Sequence, residues 1–355
     1  MKKLLEKFLS YIDVHEPIKE ALLLQLISPE PINILLVGDL GTAKTTILKE
    51  VAHLKEKSRY CVGAYYTPPF TPSIFLKGSL AEVSLLCFDK IDRGSKEDRY
   101  VLVDIMDSGT AILGAANPKF GRFDPYDLIS SQIDLPPSLI CTFDLIFPLK
   151  DLPNREKDAE VASLILNENP EKAAHLQELK EMLRQYNYFK VPAMTSEAKE
   201  ELTEYYVAMR NTEFTEKGIK NISITARQLV SLVKLSKAVA TMRLATTVSR
   251  KDAQKAIEVM DHCLNQIAKD KDTGGIDIDR LSSNITATQR TTLSIIKEII
   301  NILEKESISR NISIESITAI AQKKNIAAEE VEVALEKLRR SRDIFEPKIG
   351  FVQRL

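Results

Sequence analysis

One stretch of the chain constrains the fold more than any other: an apolar run that ends in a glycine turn and leads into a helix-forming segment. Branched apolar residues run from Ile34 to Val37, the turn carries Gly38 and Gly41, and helix-forming residues begin near Lys44. This order predicts a buried strand, a tight turn and a helix N-terminus. Such a turn directs backbone N–H groups and the positive end of the helix dipole toward an anion. The stretch therefore predicts a polyphosphate-binding loop.

The residue types in this turn suit a nucleotide together with its metal ion. Lys44 would reach the β- and γ-phosphates, and the Thr45 hydroxyl is placed for Mg²⁺. Ala43 stands where a loop of this kind usually has a second glycine. The alternative is a strand–turn–helix in which the lysine occurs by chance. The expected nucleotide contacts are Gly38, Asp39, Leu40, Gly41, Thr42, Ala43, Lys44, Thr45 and Thr46.

Composition narrows the class of protein. A chain of 355 residues that is 44% apolar is long enough for two to three domains with real cores. The net charge is −1, so the overall charge does not favour binding to nucleic acid or to a membrane surface. Any basic surface must therefore be local. No apolar run approaches the roughly 20 residues of a membrane span. We expect a cytoplasmic protein that does not enter a membrane.

The cysteines do not form a metal-binding pattern. They stand alone, without a C-x-x-C pair or matching histidines, at Cys61, Cys87, Cys141 and Cys263. This spacing is typical of buried small hydrophobes in a reducing compartment. We therefore expect no zinc site and no disulfide framework.

Two further apolar runs end in polar residues that suit a nucleotide site. The run Val83–Asp89 ends in an acid that, in nucleotide-hydrolysing folds, lies beside the phosphate loop and holds Mg²⁺ through water. The run Thr110–Ala116 ends at Asn117, whose side chain can face the γ-phosphate or, alternatively, cap the turn before Pro118. Short strands are also predicted around Tyr60–Ala64 and Ile74–Leu76. Strands that alternate with helices and carry their polar residues at the carboxyl ends predict a parallel α/β fold.

The hydrophobic periodicity changes along the chain, and these changes divide the chain into four predicted segments. Helical periods dominate from Asn154 to about Ala268, and a charged segment with two adjacent glycines follows. Three helical stretches then precede two short β-type runs on either side of Pro347–Gly350. Three helices with a β-hairpin are the pattern of a winged helix. We predict an α/β nucleotide-binding core at 1–150, a helical lid at 151–268, a linker at 269–284 and a winged helix at 285–355.

Short strings spread over most of the chain carry a family resemblance. They are His15–Leu26, Leu36–Thr45, Ala115–Asp124, Leu135–Leu139, Phe143–Phe147, Thr225–Leu229, Asp272–Asp279 and Glu346–Gly350. Together they resemble the MCM family, the replicative DNA helicases of archaea and eukaryotes. The resemblance covers the C-terminal half of such proteins, without their N-terminal half. It implies an AAA+ P-loop parallel sheet with helices on both faces, followed by an all-α lid and a winged helix of the archaeal type.

The resemblance also assigns roles to individual residues. It implies ATP and Mg²⁺ as cofactors, with Thr45 and Asp89 at the metal. Asn117 resembles the sensor 1 residue, and Arg227 resembles the sensor 2 arginine, which in this family acts on a neighbouring subunit's nucleotide. A cation in the first turn of a helix is unfavourable without an anion nearby, although a plain surface arginine of the lid is the alternative for Arg227.

The departures from the family bear on catalysis. Lys90 stands where the family has the glutamate that polarises the attacking water, and a cation cannot accept that proton. The alternative is that Asp92 substitutes from nearby. Thr142 stands where the family has an arginine finger, and such a finger increases the hydrolysis rate roughly 10³–10⁵-fold.

The resemblance also lacks two hairpins that contact DNA in the family. The short segments Thr67–Ser73 and Met106–Gly109 replace them.

These features lead to two functional hypotheses. The first is an MCM-like protein that binds ATP and Mg²⁺, hydrolyses ATP weakly or not at all, lacks helicase activity of its own, and associates with DNA, with itself or with a full-length MCM. The alternative is a working ATP-dependent DNA helicase subunit that another MCM subunit completes in trans.

One basic run near the end of the chain is a candidate for DNA contact. The run Lys337–Arg342 could contact phosphates, but acidic residues on the same helix argue against strong recognition of the major groove.

Overall fold

The chain forms two compact units, which lie within Met1–Asn211 with Ser223–Ser283 and within Thr212–Ile222 with Asn284–Leu355. The computed structural model describes residues 4, 7–9, 12, 14–63, 83–124, 129–166, 172–186, 189–211, 224–267, 287–306, 311–324, 326–340, 343–348 and 350–354. Within these residues, no helix is both long and apolar enough to cross a bilayer.

The first unit is built on a five-stranded sheet in which every neighbouring pair of strands is parallel. The strands are β1 (Ile34–Gly38), β2 (Ser58–Val62), β3 (Leu85–Asp89), β4 (Ala111–Ala116) and β5 (Leu145–Leu149). Their order across the sheet is β2-β3-β4-β1-β5. All strands except β2 are buried along their whole length, which agrees with their continuous apolar sequences.

Helices flank the sheet, so the predicted α/β class is confirmed. They are α1 (Glu16–Ile27), α2 (Lys44–Leu54), α3 (Lys96–Asp107) and the short α4 (Pro137–Ile140). Single 3₁₀ turns occur at Ile91–Arg93 and Ser130–Gln132. Because the strands are parallel, their carboxyl ends share one edge of the sheet, and the loop between β1 and α2 lies at that edge.

A helical region completes the first unit. Its helices are α5 (Arg155–Leu166), α6 (Lys172–Arg184), α7 (Ser196–Arg210), α8 (Ala226–Met242) and α9 (Arg250–Ile267), with the two-residue strands β6 (Ala193–Met194) and β7 (Thr247–Val248). Helix α9 covers the edge strand β5 through Cys263. The Cys263 Sγ accepts from Ile146 N at 3.2 Å and donates to Ile146 O at 3.1 Å. This bond satisfies backbone groups that an open sheet edge would expose. The boundary between core and lid near residue 150 stays a prediction.

The second unit has three helices and a small antiparallel sheet. Its elements are α10 (Ala287–Glu306), β8 (Ile312–Ser313), α11 (Ile314–Lys323), α12 (Ala328–Arg340), β9 (Ile344–Lys348) and β10 (Phe351–Arg354). The strand order is β8-β10-β9. Buried residues such as Ile299, Ile317 and Leu335 form its own apolar core. The helices and the hairpin lie where the sequence predicts them, whereas the assignment as a winged helix stays a prediction.

Some details differ from the sequence-based expectations. The strand predicted at Tyr60–Ala64 begins earlier, at Ser58, and strand β8 was too short for its alternation to be detected. Cys61 and Cys141 are only partly buried, because one lies on an edge strand and the other ends a four-residue helix. The strand predicted at Ile74–Leu76, the short segment Thr67–Ser73 and the linker at 269–284 lie outside the described residues.

Candidate nucleotide-binding site

The loop between β1 and α2 has a backbone path that its glycines permit. A Cβ atom on Gly38 would lie 2.7 Å from Leu149 Cβ and 2.9 Å from Thr42 Oγ1, so only glycine allows this close approach. Gly41 has φ +93°. Ala43 also takes the left-handed conformation, with φ 55°, at a cost of roughly 1–2 kcal/mol. The alanine therefore adopts the backbone conformation that favours glycine.

The N-terminus of α2 is suited to an anion. Its N-cap residue is Ala43, which has no side-chain oxygen to accept from the first-turn N–H groups, and the first turn contains no acid. The first backbone N–H groups of a helix have no partner within the helix, and they carry the positive end of its dipole. A phosphate group would supply both hydrogen-bond acceptors and negative charge at this end.

Lys44 lies over the loop with its ammonium group bonded to loop oxygens. Its Nζ donates to Gly38 O and Asp39 O, each at 2.7 Å, and to Thr42 Oγ1 at 3.2 Å. Burial lowers the pKa of Lys44, and the negative charges of Asp39, Asp89 and Asp92 offset part of this effect. An ammonium group has three N–H donors, and all three are bonded to oxygens of the loop. When a nucleotide binds, phosphate oxygens would take the place of these loop acceptors.

Thr45 and Asp89, the two residues predicted at the metal, are in contact. The Thr45 Oγ1 donates to Asp89 Oδ2 at 2.7 Å, and Asp89 is buried at the carboxyl end of β3. A hydroxyl and a carboxylate are hard oxygen ligands of the kind Mg²⁺ prefers, usually with several retained waters. The pair therefore fits a magnesium ion held beside a polyphosphate.

Asn117 contacts Asp92, the candidate substitute for the missing glutamate. The Asn117 backbone N donates to Asp92 Oδ1 at 3.1 Å, and its side-chain Nδ2 lies 3.4 Å from Asp92 Oδ2. The 3₁₀ turn Ile91–Arg93 makes this contact possible, and Arg99 Nη2 donates to the Asp92 carbonyl at 2.7 Å. Lys90 begins the turn with φ 57°. The structure thus brings the Asp92 carboxylate, two residues after Lys90, to Asn117, the residue that follows β4.

Asp39 has a structural role that the sequence did not indicate. Its carboxylate accepts from Phe123 N at 2.7 Å and from Asp151 N at 2.9 Å. These bonds join the loop to the segments that follow β4 and β5. Leu40 and Thr46, by contrast, are exposed. Contact of these loop residues with a nucleotide stays a prediction.

Arg227 does not join the other predicted site residues. It lies in the first turn of α8, is exposed, and donates through Nη1 to Cys141 O. Cys141 and Thr142 precede the amino end of β5, whereas the Lys44 loop lies at the carboxyl edge of the sheet. Four steps of a strand at roughly 3.3 Å each separate the two edges by about 13 Å. Arg227 and Thr142 therefore lie near each other and away from this chain's own loop.

Tyr60 is a site residue that the sequence analysis missed. Its hydroxyl donates to Asp89 Oδ2 at 3.0 Å, the same oxygen that Thr45 contacts. The register of the edge strand β2 decides which of its side chains face Asp89. The predicted strand included Tyr60, but its pairing register with β3 does not follow from the sequence, so the sequence offered no signal for this contact.

Comparisons with known proteins agree with this geometry. The family model for the MCM P-loop domain matches residues 1–69 and 102–169, and the model for the MCM AAA-lid domain matches 181–264. The intervening segment contains Asp89, Lys90 and Asp92, so the P-loop match does not extend to those positions.

Named relatives come from archaea and eukaryotes. The minichromosome maintenance protein MCM of Saccharolobus solfataricus is 31% identical over 94% of this chain and 54% of that protein. An MCM-type protein of Methanocaldococcus jannaschii is 31% identical over 98% of this chain and 57% of that protein. The DNA replication licensing factor MCM4 of Arabidopsis thaliana is 30% identical over 73% of this chain and 35% of that protein.

The chain spans about half the length of the archaeal relatives it matches. The P-loop and lid matches together cover more than half of its residues, and they enclose the β1–α2 loop, Asn117 and Arg227. The chain therefore belongs to the MCM family.

Proposed function

We propose that this chain is an MCM-like AAA+ protein that binds ATP with Mg²⁺, hydrolyses it weakly or not at all by itself, and associates with DNA or with MCM subunits. One observation carries the proposal. Lys44, Thr45 and Asp89 meet at the carboxyl edge of the sheet in an arrangement that fits a magnesium nucleotide. The positions expected to hold the glutamate and the arginine finger carry Lys90 and Thr142 instead.

Each residue of the site has a distinct proposed role in binding. Lys44 turns from its loop carbonyls to the β- and γ-phosphates, and the N-terminus of α2 takes up further phosphate oxygens. Thr45 and Asp89 would hold the metal. Mg²⁺ bound there would neutralise phosphate charge and polarise the phosphoryl oxygens. The role we propose for Asn117 is to orient the γ-phosphate.

Slow hydrolysis follows from what the pocket contains. A general base contributes typically 10²–10⁴-fold to a rate, and the cationic Lys90 cannot act as one. Thr142 cannot supply the charge of an arginine finger to a neighbouring subunit's phosphates. Arg227 lies at the opposite edge of the sheet from Lys44, which supports a role at a neighbour's nucleotide.

The test of this proposal measures binding and turnover on one sample. We expect calorimetry to detect Mg-ATP binding and phosphate release to stay near background, with or without single-stranded DNA. Robust turnover by the wild-type chain alone, abolished by Lys44→Ala, would overturn the proposal of weak hydrolysis. Absence of any ATP binding would overturn the proposal altogether.

Lys90→Glu should restore part of the missing chemistry. The substitution places a carboxylate where the family has its water-polarising glutamate, so we expect turnover to rise by at least about tenfold. ATP affinity should change much less, because Lys44 and Thr45 are retained. Lys96→Glu, which makes the same charge change on the nearby helix α3, is the matched control. An equal rise in both variants would mean that charge alone, and not a base at position 90, governs the rate.

The alternative function is a working helicase subunit completed in trans. The contact between Asp92 and Asn117 favours it, because a carboxylate is present beside the asparagine. A mixture with a full-length archaeal MCM that lacks its own glutamate would test this function. Turnover restored by the wild-type chain and lost in Asp92→Asn supports it, whereas inertness in every mixture contradicts it.

We expect any DNA association of the whole chain to be weak and to depend on salt. In helix α12, two arginines of the basic run are engaged by acids: Arg339 Nη2 lies 2.9 Å from Glu346 Oε2, and Arg340 pairs with Glu336. Phosphate contact has to compete with these pairs, and each neutralised phosphate adds to the salt dependence. Fluorescence anisotropy with labelled DNA from about 50 to 200 mM salt measures this. Tight binding that persists at the higher salt would contradict the expectation.

A further inference from the structure

Asp89 Oδ2 accepts hydrogen bonds from two different elements. Thr45 Oγ1 donates to it from helix α2 at 2.7 Å, and Tyr60 OH donates to it from strand β2 at 3.0 Å. Tyr60 pairs with Cys87 on β3, and Asp89 is two residues beyond Cys87. Residues two apart on a strand share one face, so Tyr60 and Asp89 are diagonal neighbours on the same side of the sheet.

Helix α2 also holds the ring of Tyr60. The Lys49 Nζ lies 5.6 Å from the ring centroid, within the range of a cation–π contact. Lys49 follows Thr45 by four residues, so both side chains occupy one face of α2. The same helix therefore contacts the hydroxyl end of the tyrosine indirectly, through Asp89, and contacts its ring directly.

Tyr60 gives the Asp89 carboxylate a second side-chain donor, which comes from strand β2. Thr45 alone would leave the carboxylate with one side-chain donor from α2, whereas two donors from different elements fix its rotation.

We propose that Tyr60 is a positioning residue of the magnesium site, whose hydroxyl holds the Asp89 carboxylate in the orientation that the metal and its waters require. The inference rests on the proposed function, since it assumes that Thr45 and Asp89 hold Mg²⁺. It adds a residue outside the phosphate loop and the strand ends, on an edge strand that the sequence analysis did not assign to the site.

The test uses Tyr60→Phe in the full chain, because this variant keeps the ring and its contact with Lys49 and removes only the hydroxyl. ATP binding is measured by calorimetry in EDTA and at a series of Mg²⁺ concentrations. We expect the Mg²⁺ concentration that gives half of the gain in affinity to rise about 3- to 10-fold, as for loss of one hydrogen bond. Affinity in EDTA should stay at the wild-type value. A merely structural role would instead weaken binding equally in both conditions.

Tyr205→Phe is the matched control. Tyr205 OH also donates to an aspartate, Asp261, but within the lid helices α7 and α9. We expect this variant to keep the wild-type Mg²⁺ dependence. A wild-type Mg²⁺ midpoint in Tyr60→Phe, with ATP binding intact, would overturn this inference alone. Absence of Mg²⁺-dependent ATP binding in the wild-type chain would overturn the proposed function and this inference with it.

Discussion

Lys44→Ala should weaken Mg-ATP binding by at least about 100-fold. The ammonium group of Lys44 is buried and makes three short contacts with the loop, all of which phosphate oxygens can replace. A hydrogen bond to a charged group is worth about 1.5–3 kcal/mol, and a tenfold change in affinity corresponds to 1.4 kcal/mol. Loss of two such bonds to phosphate therefore accounts for the expected effect. Calorimetric titration of both proteins at the same Mg²⁺ concentration measures it.

Lys199→Ala is the control for this prediction. This substitution removes the same charge, but from an exposed lysine of helix α7, outside the phosphate-binding loop. We expect its affinity for Mg-ATP to equal that of the wild type. Near-wild-type affinity in Lys44→Ala would show that the nucleotide, if it binds, does not bind at the β1–α2 loop.

The sequence predicted the parts of the site that depend on periodicity and parallel topology. A continuous apolar run, a glycine turn and a helix specify the loop at Lys44 without tertiary information. The same reasoning places Asp89 and Asn117 at one edge, because each follows a buried strand and parallel strands end together. The fold class of the first unit follows from the same alternation.

The sequence could not predict contacts that depend on a turn or on strand register. Asp92 reaches Asn117 only because a 3₁₀ turn follows β3, and nothing in the local pattern distinguishes that turn from a helix start. Tyr60 reaches Asp89 through the register of an edge strand whose boundary was predicted two residues late. The side-chain role of Asp39 depends on backbone N–H groups far along the chain. Such long-range polar contacts cannot be recognised from the periodicity of the sequence.

Asp144→Ala should be the most destabilising single substitution considered for the first unit. The carboxylate of Asp144 is buried just before β5 and accepts from Asn33 N at 2.8 Å and Ser231 Oγ at 2.5 Å. Lys234 Nζ lies 3.2 Å from both of its oxygens. Removing one partner of a buried ion pair typically costs about 3–5 kcal/mol, because the remaining groups keep their desolvation penalty. We expect a loss in that range in urea unfolding at neutral pH.

Two comparisons make the stability prediction specific. Asp144→Asn keeps the shape and one acceptor oxygen but removes the charge that Lys234 faces, so its loss should be smaller than that of Asp144→Ala. Glu181→Ala removes a carboxylate that pairs with Arg184 at the surface of the same unit, and surface pairs of this kind contribute little. Equal losses in Asp144→Ala and Glu181→Ala would contradict a buried anchor at Asp144.

The Asp144 anchor also connects stability to the proposed function. Arg227, Ser231 and Lys234 follow one another at spacings of four and three, so they occupy one face of helix α8. Asp144 holds two of them, and the third donates to Cys141, three residues before Asp144. Loss of the anchor should therefore loosen the part of α8 that presents Arg227. In a mixture with a full-length MCM, Asp144→Asn should reduce any stimulated ATP turnover that depends on Arg227, while Mg-ATP binding at this chain's own loop stays intact. Equal loss of both would place Asp144 in the general stability of the fold and not in the presentation of Arg227.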